Sequence, residues 1–314
     1  MLDIKKIETY LRAAETLNFS ETAKQLHMSQ PAVSHHIKTL EQEMNVVLFT
    51  RTNSGLQLTD AGRMLLPWAR RLLHDMNNVQ EMMSSLNNDV VGDLQIACST
   101  TAGKYVLPQL AARFRQRYPG IQVRIPACAS EQVTLNLLEG KALLGVVSRE
   151  IDEHDMEAQE FFHDRISLIV PGNHRWAMRA SIEPSELLEE PILMREPTSG
   201  TRRVVLEELA KHDISLDDLN IFMELGNAEA IVRTVASGYG VGFVSTLAAA
   251  YPLERGNVVD IPVEGLALER TIYMVRKRLG ESSRTRDAFW SFVHAPENAD
   301  LLQLPEVNAP RNKE

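Results

Sequence analysis

The sequence lacks the features that mark several classes of protein. It contains only two cysteines, Cys98 and Cys128, too few for a disulfide framework or a four-cysteine zinc site. No stretch of about 18 uncharged apolar residues occurs, so no membrane span is predicted. Charged residues at Asp3, Lys5 and Lys6 are not typical of a secretory signal. We therefore expect a folded cytoplasmic protein with no membrane partner.

Motifs of the common enzyme classes are also missing. The chain has no Walker loop, no HExxH and no GxSxG, and its nine histidines show no metal-ligand spacing. The glycine run at 238–242 precedes its predicted strand, whereas a dinucleotide-binding loop follows one, so these glycines are expected to end a helix. The sequence thus predicts no catalytic residue, no metal site and no cofactor.

Acidic residues exceed basic ones, and the net charge is −9. This excess is confined to one part of the chain, because residues 1–88 hold nine basic and nine acidic residues. A neutral segment that binds nucleic acid can be joined to an acidic partner domain that does not touch it. The overall charge therefore does not exclude DNA binding.

Residues 1–58 show the pattern of three short helices followed by a hairpin. Apolar residues at helical spacing predict the first helix over 4–17, and Ser20 and Ser29 are positioned to cap the next two. Pro31 falls in the first turn of the third helix, where its missing N–H costs nothing. A tight turn between the second and third helices is typical of a helix-turn-helix, and the hairpin would be its wing.

The exposed first turn of the third helix carries side chains that can read DNA. Gln30 can hydrogen-bond adenine with both ends of its amide, and Lys38 lies one turn on, placed for a phosphate. Spacing alone leaves the alternative of a three-helix bundle whose polar face is merely solvated. The predicted DNA-binding residues are Ser29, Gln30, Pro31, Ser34, His35, Lys38 and Arg51.

A long helix is predicted over 59–88, capped by Thr59. Its apolar residues recur in steps of three and four, which is typical of a helix that pairs with another copy, although packing on its own domain is an alternative. Pro67 in its interior predicts a kink or a loosened first half. The predicted dimerisation residues are Leu65, Ala69, Leu72, Met76, Val79 and Met83.

The identities of the residues in this part of the chain are more specific evidence than the spacing of its apolar positions. AAETLNFSETAKQLHMSQPAVSHHIKTLEQEM, followed by LFTR and LTDAG, closely resembles the winged helix-turn-helix of LysR-type bacterial transcriptional regulators over about sixty residues. The resemblance implies that Gln30, Pro31, Ser34 and His35 lie at the major groove of promoter or operator DNA. It also implies a homodimer through the linker helix, pairing into a homotetramer, with RNA polymerase as a further candidate partner. Many relatives carry Arg where His35 stands.

From residue 92 the pattern changes to strands alternating with helices, which predicts parallel sheets in two lobes. Lobe 1 is expected over about 92–163 and 269–295, lobe 2 over about 164–268, and a loosely docked tail over 296–314. This part resembles the family's effector domain. The expected fold class is an all-α winged helix-turn-helix with a linker helix, followed by a two-lobed α/β domain like the type 2 periplasmic binding proteins.

Three helices of this part are predicted to start with hydroxyl or amide side chains at the carboxyl ends of strands, where unpaired N–H groups favour an anion. For each one taken singly, a simple helix cap is the alternative interpretation. The predicted effector-binding residues are Ser99, Thr100, Thr101, Ser130, Thr198, Ser199, Gly200, Thr201, Arg202 and Asn227. The segment at 196–202 also looks like one found in relatives that regulate carbon fixation and sulfur assimilation.

These inferences predict a DNA-binding transcriptional regulator controlled by a small anionic metabolite between two lobes. Closure of the lobes would shift the spacing of the DNA-binding pairs, which requires the metabolite to bind one arrangement better than the other. Two other classes stay open from the residues alone. One is a solute-binding protein, against which the helix-turn-helix counts, and the other is a cytosolic enzyme built on the two lobes.

Overall fold

The computed structural model describes residues 3–52, 55–84, 90–98, 100–151, 153–278 and 283–302. The chain divides into two compact units, the first made mainly of Met1–Gly92 and the second mainly of the remainder. Each unit has its own apolar core. Among the described residues, no helix is both long and apolar enough to cross a membrane.

The first unit is a helical domain with a two-stranded wing. Its elements are α1 (Ile4–Thr16), α2 (Phe19–Gln25), α3 (Gln30–Met44), β1 (Phe49–Thr52), β2 (Gly55–Leu58) and α4 (Asp60–Ser84). Tyr10 is fully buried in its core and donates a hydrogen bond to the carbonyl oxygen of Gly62, 2.5 Å away. Burial raises the pKa of Tyr10 to about 12, so its hydroxyl stays protonated and ties α1 to α4.

The start of α2 differs from the prediction. Asn18, and not Ser20, is the N-cap, and its side-chain oxygen accepts from the backbone N–H groups of Ser20 and Glu21 at 2.9 and 3.1 Å. Asn and Ser are both good N-cap residues, and the spacing of apolar residues does not show which of two positions so close together begins the helix. Phe19 is thereby the first helical residue.

Replacing Asn18 with Ala should destabilise α2 locally by about 1 kcal/mol, because two N–H groups lose their acceptor. We expect native-state amide hydrogen exchange of α2 to accelerate about fivefold. Ser20→Ala is the matched control and should change the free energy of unfolding by less than about 0.5 kcal/mol. An equal effect of the two variants would show that Asn18 is not the cap.

The second unit is an α/β domain. Its elements are β3 (Gly92–Cys98), α5 (Thr100–Tyr105), α6 (Leu107–Arg117), β4 (Ile121–Arg124), α7 (Ser130–Leu138), β5 (Leu144–Val147), β6 (Met156–Pro171), β7 (Ile192–Arg195), α8 (Gly200–Ala210), β8 (Ile221–Leu225), α9 (Ala228–Ala236), β9 (Val241–Ser245), α10 (Thr246–Glu254), β10 (Val258–Ile261), β11 (Glu269–Lys277), α11 (Arg284–Val293) and α12 (Ala299–Leu302), with three short 3-10 turns among its described residues.

Two lobes share one mixed sheet. The strand order is β4-β3-β5-β11-β6-β9-β7-β8, and β10 also pairs with β6. The 16-residue β6 joins the lobes, because its first part pairs with β11 and its last part with β9 and β10. β3 lies parallel to β5, and β7 lies parallel to β8 and β9. The predicted two-lobed α/β architecture is confirmed, but the prediction of parallel sheets was wrong for β6 and β11, which pair antiparallel with their neighbours because they run between the lobes.

The chain after α11 is more ordered than the expected loose tail. Arg113 of α6 forms two hydrogen bonds with the carboxylate of Asp300, and Arg117 pairs with Glu297. Asn298 is fully buried and donates to the carbonyl oxygen of Phe292 at 2.7 Å. The prediction was wrong for 296–302 because charged residues on α6 bind this segment; residues 303–314 lie outside the described part.

Candidate functional site

The first turn of α3 has the predicted cap. The Ser29 hydroxyl accepts from the N–H of Ala32 at 3.3 Å, and the proline lies in the first turn. Val33, Ile37 and Leu40 are buried against the domain core. The opposite face of α3 therefore points away from the core of its own domain.

The predicted DNA-binding side chains lie on that outward face and on the wing. Ser34 is half-buried and the other six are exposed: Ser29, Gln30, Pro31, His35, Lys38 and Arg51. Within the described part of the chain, no side-chain hydrogen bond or ion pair occupies Gln30, Lys38 or Arg51. These donors are free to meet a partner.

Two residues that support this face were not predicted. His36, next to the exposed His35, has its Nδ1 2.9 Å from the hydroxyl of Thr9 and fixes α3 on α1. Glu41 accepts from the backbone N–H groups of Leu48 and Phe49 at 2.8 and 3.2 Å, so it positions the start of the wing. Their signal in the sequence is weak, because both are polar residues on a helix whose polar face is otherwise solvated.

Helix α4 begins as predicted, with the Thr59 hydroxyl accepting from the N–H of Gly62, and it continues through Pro67 without interruption. The predicted apolar stripe divides into two parts. Ala69 is fully buried in the core of its own domain, and Leu65 packs there half-buried.

The rest of the stripe is turned outward. Met76 is half-buried, while Leu72, Val79 and Met83 are 49%, 53% and 59% exposed. Met64 and Trp68, which the heptad count omitted, extend the same side of α4 with exposures of 73% and 63%. An apolar stripe of this length is costly to leave in water. We define the exposed stripe as Met64, Trp68, Leu72, Val79 and Met83.

A cavity of about 190 Å³ lies between the two lobes of the second unit. Ser130 and Ser148 line it from lobe 1, and the β7–α8 connection lines it from lobe 2. The lining residues are Ala127, Cys128, Ala129, Ser130, Ser148, Arg195, Glu196, Thr198, Ser199, Gly200, Thr201 and Arg270. Five predicted effector-binding residues are thus brought together: Ser130, Thr198, Ser199, Gly200 and Thr201.

Two other predicted residues have different roles. Arg202 donates to the carbonyl oxygen of Arg195 at 2.9 Å and pairs with Glu224 at 2.6 Å. Asn227 caps α9 by accepting from the N–H of Ala230 at 2.7 Å. Neither lines the cavity. Ser99 lies outside the described residues, and only the backbone of Thr100 and Thr101 is described.

Arg195, which the sequence did not single out, is the cation most deeply placed in the cavity wall. It is 3% exposed, and its Nε and Nη2 donate to the two carboxylate oxygens of Glu196 at 2.7 and 2.8 Å. Within the described residues its Nη1 has no acceptor. A buried guanidinium with an unused donor is ready to bind an anion.

Arg270 supplies a second guanidinium where the strands cross between lobes. Its Nε and Nη2 bind one carboxylate oxygen of the fully buried Asp164 at 2.8 and 2.7 Å, and Ser245 donates to the other at 2.5 Å. Its position depends on both crossing strands, β6 and β11. Neither Arg195 nor Arg270 belongs to a motif: Arg195 ends an apolar strand, and Arg270 follows Glu269 at the start of β11.

The start of α8 completes the cavity. Its N-cap, Ser199, makes no side-chain capping hydrogen bond, so the alternative of a simple cap fails here, whereas it holds for Asn227. A Cβ on Gly200 would lie 2.2 Å from the hydroxyl oxygen of Ser148 and 3.0 Å from Nη1 of Arg270. Only glycine allows this close approach. The uncapped N–H groups and positive dipole of α8 favour a negative charge.

The two thiols are not activated. Burial raises the pKa of Cys98 to about 12, and burial also raises the pKa of Cys128. A reactive thiol needs the opposite shift. Among the described residues, no group of three or more potential metal ligands occurs.

Comparison with known proteins is consistent across both units. The model of the bacterial regulatory helix-turn-helix proteins of the lysR family matches residues 4–63, and the LysR substrate binding domain matches residues 87–296. An uncharacterized HTH-type transcriptional regulator of Methanocaldococcus jannaschii is 32% identical over 92% of this chain and 98% of its own. A probable RuBisCO transcriptional regulator of Trichormus variabilis is 30% identical over 91% and 88%.

Solved structures share the fold. Full-length OxyR from Pseudomonas aeruginosa has a TM-score of 0.69 at 21% identity and covers 98% of this chain and 96% of its own. CbnR complexed with its target DNA has a TM-score of 0.67 at 20% identity, covering 93% and 99%. The CcmR regulatory domain of Synechocystis, in complex with 2-PG, has a TM-score of 0.60 at 27% identity, covering 68% and 99%. With both family models matched along most of its length, the chain belongs to the LysR family of transcriptional regulators, with a helix-turn-helix and an effector-binding domain, and not to an enzyme family.

Proposed function

We propose that the protein binds specific DNA sites through α3 and that a small anionic metabolite in the cavity sets its activity. The observation that carries the second part is Arg195, a guanidinium that is buried, held by Glu196 on one edge and without an acceptor at Nη1 among the described residues. Binding an anion offsets the free-energy cost of burying this positive charge.

DNA recognition by α3 rests on exposure and chemistry. Gln30 offers an amide to base edges, Ser34 and His35 offer further donors, and Lys38 and Arg51 carry the charges for phosphates. The structural likeness to CbnR, solved with its target DNA, supports this arrangement. Action on chromosomal DNA would place the protein in the cytoplasm.

The cavity favours a small ligand. Its volume of about 190 Å³ is below the 300–1,000 Å³ typical of drug-sized pockets. The start of α8 supplies positive potential and Arg195 supplies a guanidinium donor, while Ser130, Ser148 and Thr198 supply hydroxyl groups for orientation. A relative at 27% identity bound to 2-PG supports an anionic effector.

Purified full-length protein should be screened for stabilisation by small mono- and dianions, with 2-PG among them. A true effector at 100 times its Kd adds about 2.7 kcal/mol to the free energy of unfolding. It must also change DNA affinity or DNA bending, because it controls activity only by binding one arrangement better than the other. Stabilisation by uncharged analogues alone would contradict an anionic effector.

Dimerisation would follow from the exposed stripe of α4, which gives the two-fold symmetry that paired DNA half-sites need. The buried Ala69 and half-buried Leu65 would support the stripe from beneath. A homotetramer and a contact with RNA polymerase remain predictions.

Val79→Glu should convert the dimer to monomers at micromolar concentration, because a charge in a paired apolar stripe loses its hydration. Sedimentation velocity would show the change. Gln42→Glu adds the same charge at an exposed position of α3 and should leave the oligomer intact. An unchanged oligomer for Val79→Glu would exclude this stripe from the interface.

A further inference from the structure

Three side chains join the two lobes at a place separate from the cavity wall. Glu229, in the first turn of α9 in lobe 2, accepts from Lys104 Nζ at 2.8 Å through one oxygen and from the Tyr105 hydroxyl at 2.7 Å through the other. Lys104 and Tyr105 end α5, in lobe 1. The contacts therefore bridge residues more than 120 positions apart in the sequence.

The bridge is well supported by its surroundings. Burial, and then the hydrogen bond to Glu229, raises the pKa of Tyr105, so the phenol stays protonated and remains a donor. Glu229 also lies in the first turn of α9, where the helix dipole favours a carboxylate. None of these three residues lines the cavity, so the wall of the cavity does not explain their pairing.

We propose that Lys104, Tyr105 and Glu229 form a clasp that holds the lobes together and thereby sets the affinity for the effector. α5 follows β3 in lobe 1 and α9 follows β8 in lobe 2, so the clasp joins one helix of each lobe. Opening the clasp separates lobe 1, with Ser130 and Ser148, from lobe 2, with Arg195. The effect on affinity rests on the proposed function; the effect on lobe closure does not.

Two variants test the clasp in the full-length protein. Glu229→Ala removes both hydrogen bonds, and Tyr105→Phe removes one while keeping the ring. Without ligand, we expect amide hydrogen exchange in α5 and in the first turn of α9 to accelerate about fivefold or more in Glu229→Ala and less in Tyr105→Phe. Glu189→Ala breaks the exposed Arg175–Glu189 pair within lobe 2 and is the matched control; it should change neither segment.

The second measurement is the Kd of 2-PG by calorimetry. The clasp predicts a Kd raised by about 5- to 10-fold in Glu229→Ala, in the range of ordinary coupling between sites. If Glu229→Ala proves unstable, Tyr105→Phe decides. Unchanged exchange in folded variants overturns the clasp. Wild-type protein that fails to bind 2-PG counts against that ligand in the proposed function, while the exchange result still decides the clasp.

Discussion

Replacing Gln30 with Ala should weaken binding to the specific DNA site by about 5- to 150-fold, because a two-ended amide contact with a base is worth about 1–3 kcal/mol. The side chain is exposed at the first residue of α3, so its loss does not disturb the core. Fluorescence anisotropy of full-length protein with labelled DNA, at two salt concentrations, measures the effect.

The Lys38→Ala variant distinguishes the recognition of bases from the electrostatic attraction to phosphates. It should weaken specific and unrelated DNA alike and reduce the slope of log affinity against log salt by about one, whereas Gln30→Ala should leave affinity for unrelated DNA unchanged. If Gln30→Ala lowered affinity for both DNAs equally, Gln30 would not read a base.

Replacing Arg195 with Gln should weaken the binding of the effector by about 30-fold or more, since removing one partner of a buried charged contact costs about 2 kcal/mol or more. The variant should still fold, because the Glu196 side chain it leaves unpaired is 27% exposed and can be hydrated. Calorimetric titration with the anion found in the stabilisation screen gives the Kd directly.

Two controls sharpen this result. Arg175→Gln removes an exposed arginine that pairs with Glu189 and Glu190, and it should leave the Kd unchanged. Arg202→Gln tests the residue that the sequence favoured; because its guanidinium faces Glu224, its effect should be smaller than that of Arg195→Gln. A larger effect for Arg202→Gln would restore the sequence-based assignment.

Local chemistry explains why α3 was predictable. Ser29, Pro31 and the spacing of Val33, Ile37 and Leu40 all lie within one short segment, and the structure agrees at each. At α2 the same reasoning placed the cap two residues late, because Asn18 and Ser20 are both suitable acceptors. Only the backbone path shows which of them faces the free N–H groups.

The cavity between the lobes was only partly predictable from the sequence. The β7–α8 connection follows from one strand and one helix, so Ser199, Gly200 and Thr201 were found. Arg270 and Ser148 come from distant segments that meet only when β11 pairs with β5 and β6. Arg195 ends an apolar strand whose periodicity predicts burial alone. On α4, spacing could not tell that Ala69 packs on its own domain while Val79 faces outward.

Selection of bound DNA from a random-sequence pool tests the central claim most directly, because the selection itself identifies the operator sequence. A dimer with two α3 helices predicts enrichment of a motif with two half-sites about 10–10.5 base pairs apart, or a multiple of that spacing. Gln30→Ala should lose preference at one position in each half-site. A pool that stays unenriched, with steeply salt-dependent binding to all DNA, would contradict sequence-specific recognition by this protein.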